Sequence, residues 1–391
     1  MLNINENLLK MEDENLFLNV TKKINNYKLK NKDCDIISLG IGDVSKPIVK
    51  PIIEEMHKAV DELADMSTFK GYGSYYGYDF LKQEILKNEY DGHNFSFDEI
   101  YISNGTKSDS TNILELFDIN AKICITDPMY PIYRDGALAL NRETTTLDIN
   151  EENNFVPEIP KEKYDIIYMC SPSNPIGIAY TYSELEKWVK YALENKSVIL
   201  FDNVYESFVT SKNVPKTIYE IEGAKEVAIE FRSFSKKASF TGVRCSYYII
   251  PNEIRNNINY YWRKRTINRF NGADYIAQKG ALAFYLPDSQ KEIKKNIQYY
   301  MDNSHFLKNK LITLGFKVWG GEDSPFMWVK IKENLKSWEL FELYLEKLNI
   351  VVIPGIIFGK QGDGYFRVSA LGKRDDIEKA VERLECYYEE K

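Results

Sequence analysis

Histidine and cysteine are scarce in this chain of 391 residues, which has three of the first and five of the second. The cysteines, Cys34, Cys124, Cys170, Cys245 and Cys386, make no CxxC pair, and the histidines lie far apart. That lacks the ligand spacing of a zinc site, so no metal is expected. An odd count without a framework fits a reducing compartment better than a disulfide scaffold. Cys124 and Cys170 fall in apolar, strand-like runs and are expected to be buried thiols. No run approaches the roughly 18 consecutive apolar residues of a membrane span. The opening MLNINENLLKMEDENLF lacks a basic flank followed by an apolar run, so it does not read as a secretory signal. A cytoplasmic protein without a membrane partner is expected. Basic charge is not in excess either: the formal net charge is −7. No basic stripe marks a nucleic-acid surface. The cluster Arg263, Lys264, Arg265 and Arg269 is short and helical in pattern, and reads as a solvated face or a subunit edge.

What is present suggests two domains, because 391 residues exceed one small core. Aromatics reach 14%. They read first as core packing, with part of the tyrosine excess left to line a polar pocket. Helical periodicity covers 51–64, and 71–77 (GYGSYYG) is a Gly/Tyr loop, too glycine-rich for a helix interior. Short apolar strands then alternate with helices. The strands are expected at 100–102, 122–126, 165–169, 197–201, 227–231 and 246–250. One of the helices, 183–193, has Thr181 or Ser183 as its cap. Strands that are apolar throughout suit a sheet covered on both faces, hence an α/β domain with a mostly parallel sheet. Beyond about residue 290 the pattern becomes α+β. It runs as a long helix at 289–313, a strand pair near 316–331, a helix at 337–347, strands at 349–353 and 364–369, and a helix at 375–388. A short strand at 36–41 is expected to join the first 48 residues to that domain. The division is therefore 1–48 (arm and part of the small domain), 49–289 (large domain) and 290–391 (small domain).

Five clusters carry chemistry. The first is Ser233-Phe234-Ser235-Lys236, followed by Thr241-Gly242-Val243-Arg244. A lysine directly after a strand and a serine loop is well placed for a Schiff base. Two hydroxyls and an arginine eight residues on can grip a phosphate. SxSK alone reads equally as an exposed basic turn. The second is Asp202, with Tyr205 three residues on, after strand 197–201. Ligands of open α/β sheets bind outside the strands' carboxyl ends. An aspartate there suits a protonated ring nitrogen, and the tyrosine suits a ring oxygen. The third, Ser171 to Gly177 (SPSNPIG), is a rigid turn presenting Asn174 to a cofactor oxygen or a carboxylate. In the fourth, Ser103 to Lys107 (SNGTK), Gly105 between strand and helix lets backbone N–H groups meet a phosphate. Tyr130, in DPMYPIY, can stack on a flat ring or be an ordinary core tyrosine. The fifth is Arg367 in YFRVS. A guanidinium inside an apolar strand is costly unless paired, by a substrate carboxylate or by a structural salt bridge.

In chain order, GYG, SNGTK, DPMYP, SPSNPIG, DNVY, SFSK, GVR and YFRVS resemble the class I/II aminotransferases, pyridoxal-phosphate (PLP) enzymes of the aspartate-aminotransferase fold, along essentially the whole chain. The segments LGIGD (39–43), GTKSD (105–109), EFRSFSKKASFTGVR (230–244), RFNGADYIAQ (269–278) and GDGYFRVSALG (362–372) are similar to the LL-diaminopimelate aminotransferase family. The resemblance implies a large domain with a mostly parallel seven-stranded sheet and a smaller α+β domain. It implies Lys236 as the lysine that carries the cofactor and moves protons, and Asp202 at the ring nitrogen. Asn174 and Tyr205 would hold the ring oxygen, and Tyr130 would stack. Thr106, Lys107, Ser233, Ser235 and Arg244 would bind phosphate, with Tyr72 from a partner subunit. Arg367 and Asn174 would hold the substrate carboxylate, beside Gly42 and Lys107. The implied assembly is a homodimer in which Tyr75 and Asn271 also cross the interface.

The resemblance breaks where specificity is set. The family's loop after GYG reads PEQGY, and its glutamate meets the substrate's distal ammonium. Here it reads Ser74-Tyr75-Tyr76-Gly77-Tyr78. A phenol does not neutralise an ammonium, so weaker discrimination, or another amino donor, is expected. Phe17 stands where a polar, tyrosine-like residue is expected, and Ser108 where a cysteine is usual. The reaction implied is ping-pong transfer of an amino group from an amino acid to a 2-oxo acid. A lyase or an amino-acid oxidase on the same fold uses the same core motifs and remains the alternative.

Overall fold

The computed structural model describes residues 4–11, 16–40 and 42–389. Its strands are β1 (Ile37–Ser38), β2 (Ile100–Ser103), β3 (Ile123–Asp127), β4 (Thr144–Asp148), β5 (Ile166–Cys170), β6 (Val198–Asp202), β7 (Ala228–Ser233) and β8 (Ser246–Ile249), then β9 (Val318–Gly320), β10 (Phe326–Lys330), β11 (Ile350–Val351), β12 (Ile353–Pro354) and β13 (Tyr365–Ser369). Seven form one sheet in the order β2-β8-β7-β6-β5-β3-β4. β8 alone runs opposite to the other six strands. Every residue of β6 and β7 is buried. Apolar clusters pack on both faces, one around Ile199, Phe201 and Trp188 and another around Leu200, Ile229 and Trp262. That is why these strands read as continuous apolar runs.

All six strands expected in this domain form. The seventh, β4, has no such run: its sequence is TTTLD, and no residue of it is fully buried. It is the sheet edge, paired parallel to β3 with Ile123 opposite Thr144. An edge strand needs one covered face only, so its apolar signal is weak. The helix Tyr182–Asn195 is capped by Thr181, not Ser183. Thr181 Oγ1 accepts from the Glu184 amide while the Glu184 carboxylate accepts from the Thr181 amide. Such a reciprocal box contributes ~1 kcal/mol.

The remaining strands build smaller sheets. β12-β13-β10-β9 is antiparallel, and β1 pairs with β11 in parallel. That pairing ties the N-terminal segment to the C-terminal one, but β1 covers only Ile37–Ser38 of the expected 36–41, and Ile41 lies outside the described residues. The expected strand 349–353 splits into β11 and β12, which join different sheets. Among the described residues no helix is long and apolar enough to cross a membrane.

Candidate active site

The parallel strands of the large sheet deliver their carboxyl ends to one place. Asp202 ends β6, Cys170 ends β5, and Ser233 ends β7. A cleft of about 690 Å³ lies there, closed on its far side by Phe326 of β10 and Arg367 of β13 and flanked by Phe17, Gly40, Gly42 and Asp43. Thr106, Lys107, Tyr130, Asn174, Tyr205, Ser235, Lys236 and Arg244 line it as well. Ten residues singled out from the sequence, from several parts of the chain, thus share one cleft with Arg367 and Gly42.

Lys236 sits in the four-residue helix Phe234–Lys237 directly after β7. Ser233 Oγ accepts from the Ser235 amide at 3.0 Å and donates to Ser235 Oγ at 2.9 Å, so it caps the turn that aims the lysine. Lys236 Nζ donates to the Gly42 carbonyl. Burial pushes its pKa down to about 8, with Arg367 and Arg244 adding to the shift and Asp43 opposing it. An amine with that pKa is a competent nucleophile and base near neutral pH.

Asp202 is 7% exposed. Tyr133 donates to its Oδ2 at 2.6 Å, while Oδ1 is buried and has no partner among the described residues. Burial raises this carboxyl to about 6, opposed by the Tyr133 hydroxyl bond and by the nearby Val204 amide. A protonated ring nitrogen is a group that would satisfy the open oxygen. Tyr205 lies three residues on, edge-on to Phe326 with ring centroids 5.1 Å apart. Across the cleft, Arg244 donates to Ser235 Oγ at 3.3 Å and to the Thr241 carbonyl at 3.1 Å. Gly105, at φ 145°, passes so close to the Arg244 guanidinium that a Cβ there would collide with it. The helix Thr106–Asn112 has only seven residues. The anion cradle therefore rests on Ser235, Arg244, Thr106 and Lys107 more than on a helix dipole. The carboxylate, the cradle and the amine are spaced around one cleft, and this donor set fits PLP.

Arg367 is 3% exposed and, among the described residues, has no carboxylate partner. Its Nη1 donates to Asn174 Oδ1 at 2.7 Å and Nη2 to the Gly40 carbonyl at 3.1 Å, while Nε is buried without a partner. Burial lowers its pKa to about 10, against the nearby phenols of Tyr205 and Tyr130. The structural salt bridge open on sequence grounds is absent from the described residues, and a buried guanidinium so placed favours an anionic ligand.

Tyr72, Tyr75 and Asn271 do not line their own chain's cleft. Tyr72 is 93% exposed, Tyr75 is 41% exposed, and Asn271 is exposed. Asn271 and Tyr75 nevertheless belong to one surface, because Gly272, at φ 94°, lies against the backbone of Ser74 and Tyr75. Cys170 corrects an expectation. It is half-buried, it lines the cleft, and its thiol donates to the Pro172 carbonyl at 3.4 Å. As the last residue of its strand it faces the open end of the sheet, which an apolar run does not reveal. Asp43 and Tyr133 were not singled out for the cleft. Tyr133 lies three residues after Tyr130, and that spacing was the available signal for a shared face.

The aminotransferase class I and II family matches residues 34–384. LL-diaminopimelate aminotransferase from Prochlorococcus marinus subsp. pastoris is 44% identical over 98% of this chain and 99% of its own length. The enzyme of that name from Phocaeicola vulgatus is 44% identical over 97% and 98%. Among solved structures, L,L-diaminopimelate aminotransferase from Chlamydomonas reinhardtii matches at a TM-score of 0.94 and 36% identity, covering 99% of each chain. Agreement over nearly the whole length, in sequence and in fold, around a cleft whose donors fit the cofactor, makes this chain a member of the LL-diaminopimelate aminotransferase family and a PLP-dependent aminotransferase of fold type I.

Proposed function

We propose that the amino donor is an amino acid of the LL-diaminopimelate type, with its far end read by Tyr75 and Asn271 of a second subunit. The observation that carries the donor class is Arg367, buried and without a carboxylate partner among the described residues. It would receive the donor's α-carboxylate with Asn174, which lines the cleft and whose Oδ1 is engaged by Arg367. Full-length identity to enzymes named for LL-diaminopimelate supports the donor. The cofactor, when bound, supplies an electron sink for the carbanion at the donor's α-carbon. The chain's residues do the rest. Asp202 would meet the ring nitrogen, Tyr205 the ring oxygen, and Tyr130 would stack. Ser235, Arg244, Thr106 and Lys107 would hold the phosphate with Tyr72 of the second subunit, and the Ser233 hydroxyl braces Ser235. Lys236 Nζ would carry the cofactor until the donor's amino group displaces it, and the freed amine would then take the proton from the donor's α-carbon and later return it. With water consumed, the donor would leave as a 2-oxo acid, and the amino group kept in the site would pass to a second 2-oxo acid.

The subunit arrangement is a homodimer. Tyr72, Tyr75 and Asn271 are exposed and do not line their own chain's cleft, and the Gly272 contact brings the loops of the latter two together. Tyr75 in place of a carboxylate gives looser discrimination against donors lacking a distal amine. The test is a single-turnover absorbance assay with LL- and meso-diaminopimelate, glutamate, lysine, arginine and aromatic amino acids. Fast conversion by LL-diaminopimelate, with analogues lacking the distal amine within about tenfold of it, is the expected result. No conversion by LL-diaminopimelate and rapid conversion by another amino acid would overturn the donor assignment. Pyruvate and ammonia released without an acceptor, or oxygen consumed, would overturn amino transfer itself.

A further inference from the structure

Asp202 is unusual in having a single side-chain hydrogen-bond donor. Tyr133 Oη donates to Oδ2 at 2.6 Å, and Oδ1 has no partner among the described residues. The titratable groups facing the carboxylate are Tyr133 from the helix Ile132–Ala139, Tyr130 before that helix, Cys170 and Tyr168 from β5, and Tyr205 after β6. Burial pushes all four other groups and Tyr133 upward, so all are uncharged near neutral pH. No lysine or arginine forms a salt bridge with Asp202 among the described residues.

Tyr133 itself is held in place. It is buried and stacked on Tyr168, with ring centroids 4.7 Å apart and planes 16° apart. Tyr168 in turn donates to the Ser110 carbonyl at 2.5 Å, at the base of the helix that carries Thr106 and Lys107. The phenol therefore has little freedom to leave the carboxylate.

We propose that Tyr133 is the positioning residue for Asp202: its hydroxyl occupies one carboxylate oxygen, turns the other toward the cleft, and so determines how firmly the cofactor's ring nitrogen keeps its proton. This rests on Asp202 meeting that nitrogen. A carboxylate that loses its hydrogen-bond donor becomes more basic. It then competes better for the proton, and the ring carries less positive charge. Less positive charge beside Lys236 makes the protonated nitrogen of the lysine linkage less acidic, so the pH midpoint of the bound cofactor's absorbance moves upward.

The test compares Tyr133→Phe, which keeps the stacked ring, with Tyr168→Phe, which removes the neighbouring buried hydroxyl of the same stack. Both are reconstituted with pyridoxal 5′-phosphate and titrated in absorbance, and the cofactor's dissociation constant is measured. For Tyr133→Phe the midpoint should rise by about 0.5 unit or more and affinity should fall about tenfold, the scale of a hydrogen bond to a charged group. Tyr168→Phe, which keeps the stack and loses only its anchor to Ser110, should move both far less than Tyr133→Phe does. Tyr133→Phe indistinguishable from the parent, or equal in effect to Tyr168→Phe, would overturn the inference. Asp202→Asn separates the two levels of the argument. If it shifts the midpoint while Tyr133→Phe does not, the positioning role alone fails. If Asp202→Asn also leaves the midpoint unmoved, the placement of Asp202 at the ring nitrogen fails, and the inference with it.

Discussion

Lys236 and Lys237 are adjacent in sequence and opposite in circumstance. Lys236 points into the cleft, its Nζ donating to a backbone carbonyl, with arginines and Asp43 as its charged neighbours. Lys237 points the other way, beneath the turn. It is 4% exposed and donates to Glu89 at 2.8 Å and to Glu206 and Tyr247 at 3.0 Å. Arg232 adds a 2.9 Å bond to Glu89, which also accepts from Tyr247 and Tyr285. Burial pushes the Glu89 carboxyl up, but Lys237 and Arg232 outweigh it and hold the group well below the usual carboxylate range. Two identical side chains thus differ in whether burial is compensated. Uncompensated burial makes a reactive amine, and compensated burial makes a structural cation. Glu206 follows Tyr205 directly, so the lower cluster also ties the Asp202–Tyr205 loop to the lysine turn.

The strongest way to break this comparison is to exchange the consequences of losing each lysine. Lys236→Ala should lower turnover by on the order of 10⁴-fold or more and leave the unfolding midpoint of the cofactor-free protein unchanged or slightly raised. Multiple turnovers without added amines would refute its role, and borohydride reduction with mass spectrometry locates the modified lysine directly. Lys237→Met should do the reverse. Removing one partner from a buried ion cluster costs about 3–5 kcal/mol, read as a lowered denaturant midpoint, while the yellow cofactor band persists in the folded fraction. Loss of that band at full stability would show that the roles had been assigned the wrong way round.

Acid unfolding sharpens the same contrast. Glu89 has a folded-state pKa below its unfolded value. Its contribution is therefore full above the ordinary glutamate range, near about pH 4.3, and is lost as pH falls through the lowered value. In Lys237→Met that acid limb should shrink and end at higher pH, because the folded value of Glu89 rises toward its unfolded one, as unfolding followed by circular dichroism against pH would record. An unchanged acid limb would mean that Arg232 alone holds Glu89 down.

Much of this was legible in the sequence, and what was missed has physical causes. The strands with two covered faces announced themselves as apolar runs, and the motifs that follow them mark the carboxyl ends where an open sheet binds ligands. β4 was invisible because an edge strand of threonines has no such run. Arg367 was legible because a guanidinium in an apolar strand demands an anion. The role of Lys237 was not, since Glu89 and Glu206 are separated from it by 148 and 31 residues and nothing local marks the pairing. Tyr133 is similar: its carboxylate partner lies 69 residues away. Long-range compensation of buried charge is a property of the fold.

The smallest expected effect concerns Asp43, the carboxylate that raises the Lys236 pKa against burial. Lys236 should titrate near 8 in the cofactor-free protein. Only the uncharged amine attacks an aldehyde, so the rate of pyridoxal phosphate capture should climb with pH through a midpoint near that value, about 2.5 units below an ordinary lysine. Asp43 stabilises the charged amine and so holds the midpoint up. Its side chain is exposed at the cleft mouth, where solvent screens the interaction. Asp43→Asn should therefore lower the midpoint by only ~0.3–0.5 unit, the scale of an exposed ion pair, in stopped-flow capture measured across pH. A drop of more than about one unit would mean that Asp43 compensates Lys236 much as Glu89 and Glu206 compensate Lys237, and the contrast between the two lysines would narrow. A midpoint that rises would reverse the sign of the interaction and remove Asp43 from the account of how Lys236 is tuned.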